Sequence, residues 1–141
     1  MLRYLHTMIR VRDVDASLRF FCEGLGLREI RRRDSEQGRF TLVFLGENDS
    51  DSPQIELTHN WDHTDAYTVG RNFGHVAYEV DDIYAACRRF VDLGYPISRP
   101  PRDGRMAFVR SPDLISVELL QKGAALAPAE PWSSMANVGE W

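Results

Sequence analysis

Leu5-His6-Thr7-Met8-Ile9-Arg10-Val11 is the stretch on which the fold turns, because it is answered in the second half of the chain by Phe73-Gly74-His75-Val76-Ala77-Tyr78-Glu79-Val80. Counting on from His6 and from His75, Val11 matches Val80, Asp13 matches Asp82, Ala16 matches Ala85 and Phe21 matches Phe90, after which Gly26 and Gly94 fall at nearly the same distance. Each half then ends in an apolar strand broken by one carboxylate, Ile55-Glu56-Leu57 and Val117-Glu118-Leu119. A duplication of this length consists of two supersecondary units, each needing a partner to bury its apolar face.

Within the opening stretch, Arg3 to Val11 alternates as a strand that sets His6, Met8 and Arg10 on one face and Leu5, Ile9 and Val11 on the other. Asp13 or Asp15 can cap a following helix whose apolar positions are Val14, Leu18, Phe21, Cys22 and Leu25, with Gly24 and Gly26 as its stop. Strands follow near residues 28–33, 39–45 and 54–58, separated by polar turns at 34–38 and 46–53. The second half repeats the order: a strand from about Phe73, a helix from Asp82 to about Leu93, and strands near Ile97, at 106–110 and at 115–120. The expected fold class is α+β, two paired βαβββ modules whose curved mixed sheets enclose a metal site. One domain spans 1–141, with module one at about 2–59, a polar linker at about 60–72, module two at about 73–122 and a tail at about 123–141. The tail has no amphipathic period, but Trp132 and Trp141 argue against simple solvation.

Composition excludes several classes. With 43% apolar and 27% charged residues the chain reads as a soluble globular protein, and a net charge of −4 offers no footprint for nucleic acid or an anionic membrane. No apolar leader and no long apolar run is present, so a cytoplasmic location is expected. Cys22 and Cys87 fall within the two helices rather than in a disulfide spacing and read as reduced core thiols. Arg31-Arg32-Arg33 reads as a solvated strand end.

Alternation also decides the chemistry. Where Ile55, Leu57, Val117 and Leu119 face a helix layer, Glu56 and Glu118 must face the other side of their sheets, as His6 and His75 do in theirs. Alone, a histidine in a first strand is an ordinary half-buried residue and a strand glutamate an ordinary solvated one. Their recurrence as a pair at matched positions is what a solvated face would not require. His6, Glu56, His75 and Glu118 therefore make two half-sites suited to one divalent metal. His59 and His63 have no repeat counterpart and read as surface residues.

The stretches Leu5 to Val11, Ile55-Glu56-Leu57-Thr58-His59-Asn60-Trp61, Phe73 to Ala77 and Ser116-Val117-Glu118-Leu119-Leu120 together resemble glyoxalase I (lactoylglutathione lyase), a family of the vicinal oxygen chelate superfamily, over Leu2 to about Lys122. The resemblance implies His6, Glu56, His75 and Glu118 as metal ligands, and Arg10 and Asn60 as contacts to glutathione. It implies isomerisation of the glutathione–methylglyoxal hemithioacetal to S-lactoylglutathione through an enediolate, with Glu118 as first choice for the proton shuttle and Glu56 as its counterpart for the other enantiomer. The metal would act as a Lewis acid on the developing oxyanion. Nickel ranks first for a short bacterial-type chain, with cobalt, manganese or zinc as alternatives, and glutathione is the co-substrate. The resemblance further implies a homodimer, each site joining His6 and Glu56 of one subunit to His75 and Glu118 of the other.

The chain departs from the family at residues 99–105, where a longer loop containing glycine and lysine is replaced by Arg99-Pro100-Pro101-Arg102-Asp103-Gly104-Arg105; either Arg99 or Arg102 would replace the missing lysine against a glutathione carboxylate, with His75 as a further substrate contact, or the thiol cofactor is held differently. The turn at Ser111-Pro112-Asp113-Leu114 lacks a common glycine, and His59 replaces a common tyrosine. The rival readings are a ring-cleaving dioxygenase or thiol transferase of the same fold, either of which uses three protein ligands and leaves Glu56 unnecessary, and a metal-free ligand-binding module, which has no use for four.

Overall fold

The computed structural model describes residues 1–48 and 51–140 and divides into two compact units, Met1–Thr68 and Val69–Trp141. Asp49 and Ser50 of the expected 46–53 turn, and Trp141 of the tail, lie outside the described residues.

The first unit runs β1 (His6–Arg10), α1 (Val14–Leu18, continuing as a π-helical stretch Arg19–Gly24), β2 (Arg28–Ser35), β3 (Phe40–Gly46) and β4 (Gln54–Asn60). Its open four-stranded sheet has the order β1-β4-β3-β2, with β1 parallel to β4 and the other pairs antiparallel. The second unit runs β5 (His75–Val80), α2 (Ile83–Asp92), β6 (Ile97–Arg99), β7 (Met106–Arg110) and β8 (Ser116–Gln121), in the order β5-β8-β7-β6 with the same parallel and antiparallel pairs. Two mixed sheets, each of βαβββ topology, are thus as the duplication predicts. No described helix is long and apolar enough to cross a membrane.

The helices begin alike. Asp13 accepts a hydrogen bond from the Ala16 amide (3.0 Å), and Asp82 accepts from the amides of Tyr84 and Ala85 (both 3.0 Å), satisfying donors that have no partner inside the helix. Gly26 (φ +98°) and Gly94 (φ +93°) take the left-handed turn that follows each helix, a conformation a Cβ would oppose. Gly24 is not part of the stop; it is buried inside the π-helical stretch.

That stretch changes which residues α1 buries. The Leu25 amide reaches back to the Phe20 carbonyl (3.0 Å), five residues away, and the extra residue in the turn rotates the chain. Phe20 and Phe21 consequently both enter the core, their rings edge-to-face at 4.9 Å, and Ser17 is buried with them, whereas Val14, Leu18, Cys22 and Leu25 are only half-buried. A uniform helical period predicts the stripe Val14, Leu18, Phe21, Cys22, Leu25; only Phe21 of that set is fully buried.

Ile9, Val11, Val43, Leu45, Ile55 and Leu57 complete the first core, and Ile83, Cys87, Phe90, Ala107, Val109, Val117 and Leu119 the second. Each buried aliphatic side chain contributes about 1.5–3 kcal/mol of burial. In both units these residues alternate with Glu56 and Glu118, which leaves the carboxylates on the other face of their sheets. β4 continues through Asn60, paired with Phe40, so Asn60 is a strand residue rather than the start of a linker.

The tail is docked onto the second unit. Trp132 is buried, stacked parallel to Tyr84 (6.3 Å) with the Arg88 guanidinium 4.9 Å from its ring centre, and the Tyr84 hydroxyl donates to the Ala127 carbonyl (2.8 Å).

Candidate metal centre

In each unit one histidine and one glutamate meet on the sheet face opposite the helix. His6 opens β1 and pairs with Gln54, while Glu56 stands two residues further along β4, a diagonal neighbour on the same face. His75 opens β5 and pairs with Ser116, with Glu118 two residues further along β8. His6 Nε2 lies 2.8 Å from Glu56 Oε2, and His75 Nε2 lies 2.9 Å from Glu118 Oε2. The side chains are matched in exposure as well, 39% and 38% for the histidines against 13% and 15% for the glutamates.

These pairs fit a divalent cation. Ligand atoms at about 2.1 Å from a metal and cis in an octahedron are about 3.0 Å from each other. The observed separations lie just below that value, so a small parting of each pair admits the ion. Among the described residues no group of three or more His, Cys, Asp or Glu side chains is assembled. Each half-site thus offers two ligands, too few for a structural or catalytic site on its own.

The sheet supplies a ring that steadies each pair. Phe44 on β3 is the cross-strand partner of Glu56, and its ring meets His6 edge-on (5.8 Å, 82°); Phe108 on β7 is the partner of Glu118 and meets His75 edge-on (5.2 Å, 84°). Both phenylalanines are buried, so each imidazole has a fixed wall that limits its rotation. Sequence reasoning does not single them out. Phe44 precedes Glu56 by twelve residues and Phe108 precedes Glu118 by ten, because the intervening turns, 47–53 and 111–115, differ by two. Aligning the halves on their glutamates with a two-residue gap is the signal that finds them.

Of the expected substrate contacts, Arg10 is exposed on β1 with its side chain on the His6 face, and Asn60 is half-buried at the end of β4 on the Glu56 face. Arg102 is exposed, and its Nη1 donates to the Met135 carbonyl in the tail (2.9 Å). Arg99 Nη1 donates to the carbonyls of Ser98 (2.6 Å), Val138 (3.2 Å) and Gly139 (3.4 Å), and Arg110 donates to that of Glu140. Arg99 and Arg102 of the shortened loop therefore bind the tail.

A cavity of about 490 Å³ in the second unit is lined by Arg71, Phe73, Gly74, Arg110, Ser116 and Glu140 among others, next to the strand ends that carry His75. Its lining is of mixed charge, with Arg71 and Arg110 set beside the acidic Glu140.

His59 and His63 are half-buried rather than surface residues. His59 Nδ1 lies 3.2 Å from the Val11 carbonyl, and His63 stacks on Tyr67 (4.2 Å, 9°). Burial pushes the Cys87 thiol up to about 12, which leaves it chemically inert. Cys22 is only half-buried, and burial first, then Glu29 and Glu23, raises its thiol as well.

Residues 3–119 match the family model of the glyoxalase/bleomycin resistance protein/dioxygenase superfamily. The chain is 46% identical to a probable lactoylglutathione lyase of Synechocystis over 83% of its own length and 93% of the relative's, and 46% identical to a lactoylglutathione lyase of Neisseria meningitidis serogroup A over 86% and 91%. The trypanothione-dependent glyoxalase I of Leishmania major superposes with a TM-score of 0.82 at 38% identity, over 86% of this chain and 87% of that one. On the matched His–Glu half-sites and these similarities, the chain belongs to the glyoxalase/bleomycin resistance protein/dioxygenase superfamily and, within it, to the lactoylglutathione lyase family.

Proposed function

We propose that the chain is a lactoylglutathione lyase, isomerising the hemithioacetal of glutathione and methylglyoxal to S-lactoylglutathione. The observation that carries this reading is the pair of matched half-sites, His6–Glu56 and His75–Glu118, retained in full. A dioxygenase or thiol transferase of the same fold would leave Glu56 idle, and a binding module would have no need of either pair.

A divalent metal, nickel first and cobalt, manganese or zinc otherwise, would be held by His6, Glu56, His75 and Glu118 and would supply Lewis-acid stabilisation of the developing oxyanion. Glu118 removes the proton from the thiol-bearing carbon of the hemithioacetal and returns it to the neighbouring carbon, while the hydroxyl proton of the first carbon passes to the oxygen of the second, leaving an α-hydroxy thioester; Glu56 does the same for the opposite enantiomer. Phe44 and Phe108 restrict the imidazoles, which keeps each carboxylate in register with its histidine during the transfer. Arg10 and Asn60 hold the glutathione moiety, the arginine through a carboxylate and the asparagine through donor and acceptor together, and Arg102, whose Nη1 donates to the Met135 carbonyl, meets a second carboxylate with its remaining N–H groups.

The site closes in a homodimer, His6 and Glu56 of one subunit meeting His75 and Glu118 of the other. Two observations support this: each unit presents two ligands, and the faces that carry them also expose apolar side chains, Met8 beside Glu56 and Met106 on the Phe108 face, each 40% exposed. Such residues fit an interface. The enzyme acts in the cytoplasm, where glutathione and methylglyoxal meet.

The test is to strip the protein with a chelator and follow thioester formation from glutathione and methylglyoxal after adding Ni²⁺, Co²⁺, Mn²⁺ or Zn²⁺ in turn. Activity restored by at least one ion is expected; a protein that binds these ions yet forms no thioester would overturn the reading.

A further inference from the structure

The duplication extends beyond the histidines, glutamates and phenylalanines to one arginine in each half. In the first unit Met8, Glu56, Phe44 and Arg31 are successive cross-strand partners from β1 to β2, so they form one row on one face of the sheet. In the second, Ala77, Glu118, Phe108 and Arg99 form the same row from β5 to β6. The pairing register shifts just before each arginine, between Glu29 and Arg31 and between Ile97 and Arg99, and irregularities of this kind re-aim the side chain that follows. Arg31 is thus not one of three equivalent members of a solvated Arg31-Arg32-Arg33 run.

The two arginines have opposite fates. Arg99 is taken up by the tail carbonyls of Val138 and Gly139. Arg31 lies over Phe44, its guanidinium carbon 3.7 Å from the centre of the ring that also contacts His6. Arg32 beside it is matched by Glu29 (2.6 Å) and Arg3 by Asp51 (3.5 Å), whereas no carboxylate among the described residues lies within ion-pair range of Arg31. Stacking on an aromatic face leaves the guanidinium N–H groups directed outward in its own plane, where they can receive a carboxylate side-on. A cavity of about 240 Å³, lined by His6, Arg31, Tyr4, Gln54 and the Arg3–Asp51 pair, opens at that point.

We infer that Arg31, carried on Phe44 beside the His6–Glu56 half-site, is a specificity-determining residue that binds a carboxylate of the substrate. This rests on the lyase reading above. The carboxylate comes either from the thiol half of the hemithioacetal or from an acidic 2-oxoaldehyde.

The experiment compares wild type, Arg31→Gln and Arg31→Lys in the metal-loaded enzyme. One arm pairs methylglyoxal with glutathione or with its carboxyl esters; the other pairs glutathione with methylglyoxal or with a 2-oxoaldehyde ending in a carboxylate. Loss of one charge-assisted contact raises KM roughly tenfold or more in Arg31→Gln, with kcat changed less than about twofold and partial rescue in Arg31→Lys. If the thiol half supplies the carboxylate, esterifying it costs the wild type that factor and the variant nothing. If the aldehyde supplies it, the wild type prefers the acidic aldehyde and the variant loses the preference. Calorimetry of S-methylglutathione, and of the acidic aldehyde's hydroxy-acid product, with wild type and variant reads the same contact without turnover. Absence of turnover in the wild type would thus count against the lyase reading alone. Identical KM and affinity in every arm, or a fall in kcat and metal content at constant KM, would overturn the role of Arg31 and reduce it to a support for Phe44.

Discussion

Trp132→Ala puts a number on the tail. The indole is 3% exposed, packs on the Tyr84 ring and the Arg88 guanidinium, and anchors a segment that is otherwise held by hydrogen bonds, among them Val138 N–H to the Ser98 carbonyl (3.0 Å), Leu126 N–H to the Gly104 carbonyl (3.0 Å) and the arginine contacts of Arg99 and Arg102. An indole buries on the order of 200 Å², and at about 25 cal/mol/Å² its transfer is worth roughly 5 kcal/mol. Measured truncations of buried aromatics cost about 3–5 kcal/mol. Two outcomes divide that range. If the tail is part of the cooperative fold, the whole loss appears in global unfolding, lowering Tm by roughly 10–15 °C for a domain of this size. If the tail undocks by itself, the loss is limited to its own docking energy and residues 123–140 become open to protease while the sheets stay intact. Thermal unfolding, followed by mass spectrometry of limited digests, distinguishes the two. A variant with wild-type Tm and an equally protected tail would refute the assignment of Trp132 as the anchor.

Other consequences follow from the site and the thiols. Glu118→Gln keeps an oxygen for coordination but cannot take up the substrate proton, so kcat should fall by roughly 10²–10⁴ with little change in metal content; near-normal turnover would move the proton shuttle to Glu56. Because burial holds Cys87 far above the usual thiol range and Cys22 is only half-buried, iodoacetamide at pH 8 should modify Cys22 first and leave Cys87 untouched until the protein unfolds; equal labelling in the native state would contradict the packing around α2.

The positions of the strands and helices were legible in the sequence because both halves carry strong local signals. Alternation placed Ile55 and Leu57 inward and Glu56 outward, and the capping aspartates and trailing glycines bracketed both helices. Three features were not legible, each for a physical reason. The π-helical turn at Arg19–Gly24 breaks the period on which the buried stripe of α1 was read, admitting Phe20 and Ser17 and turning out Leu18 and Cys22. Phe44 and Arg31 gain their place beside His6 through cross-strand register, and register depends on turn lengths that differ between the halves. The tail binds through one indole and a series of backbone carbonyls, contacts that leave no periodic trace in sequence, and it takes up Arg99 and Arg102 in doing so. The ligand set was legible because the same two residue types recur at the same strand positions in both halves.

In the proposed homodimer one metal site is built from two half-sites, one from the first module of one subunit and the other from the second module of its partner. Mixing inactive His6→Ala protein with inactive His75→Ala protein, under conditions that exchange subunits, tests it most directly. In a heterodimer one of the two sites collects both lesions and the other is intact, so the mixture should regain isomerase activity corresponding to one working site per heterodimer. Heterodimers demonstrated by mass spectrometry that stay inactive would contradict this arrangement.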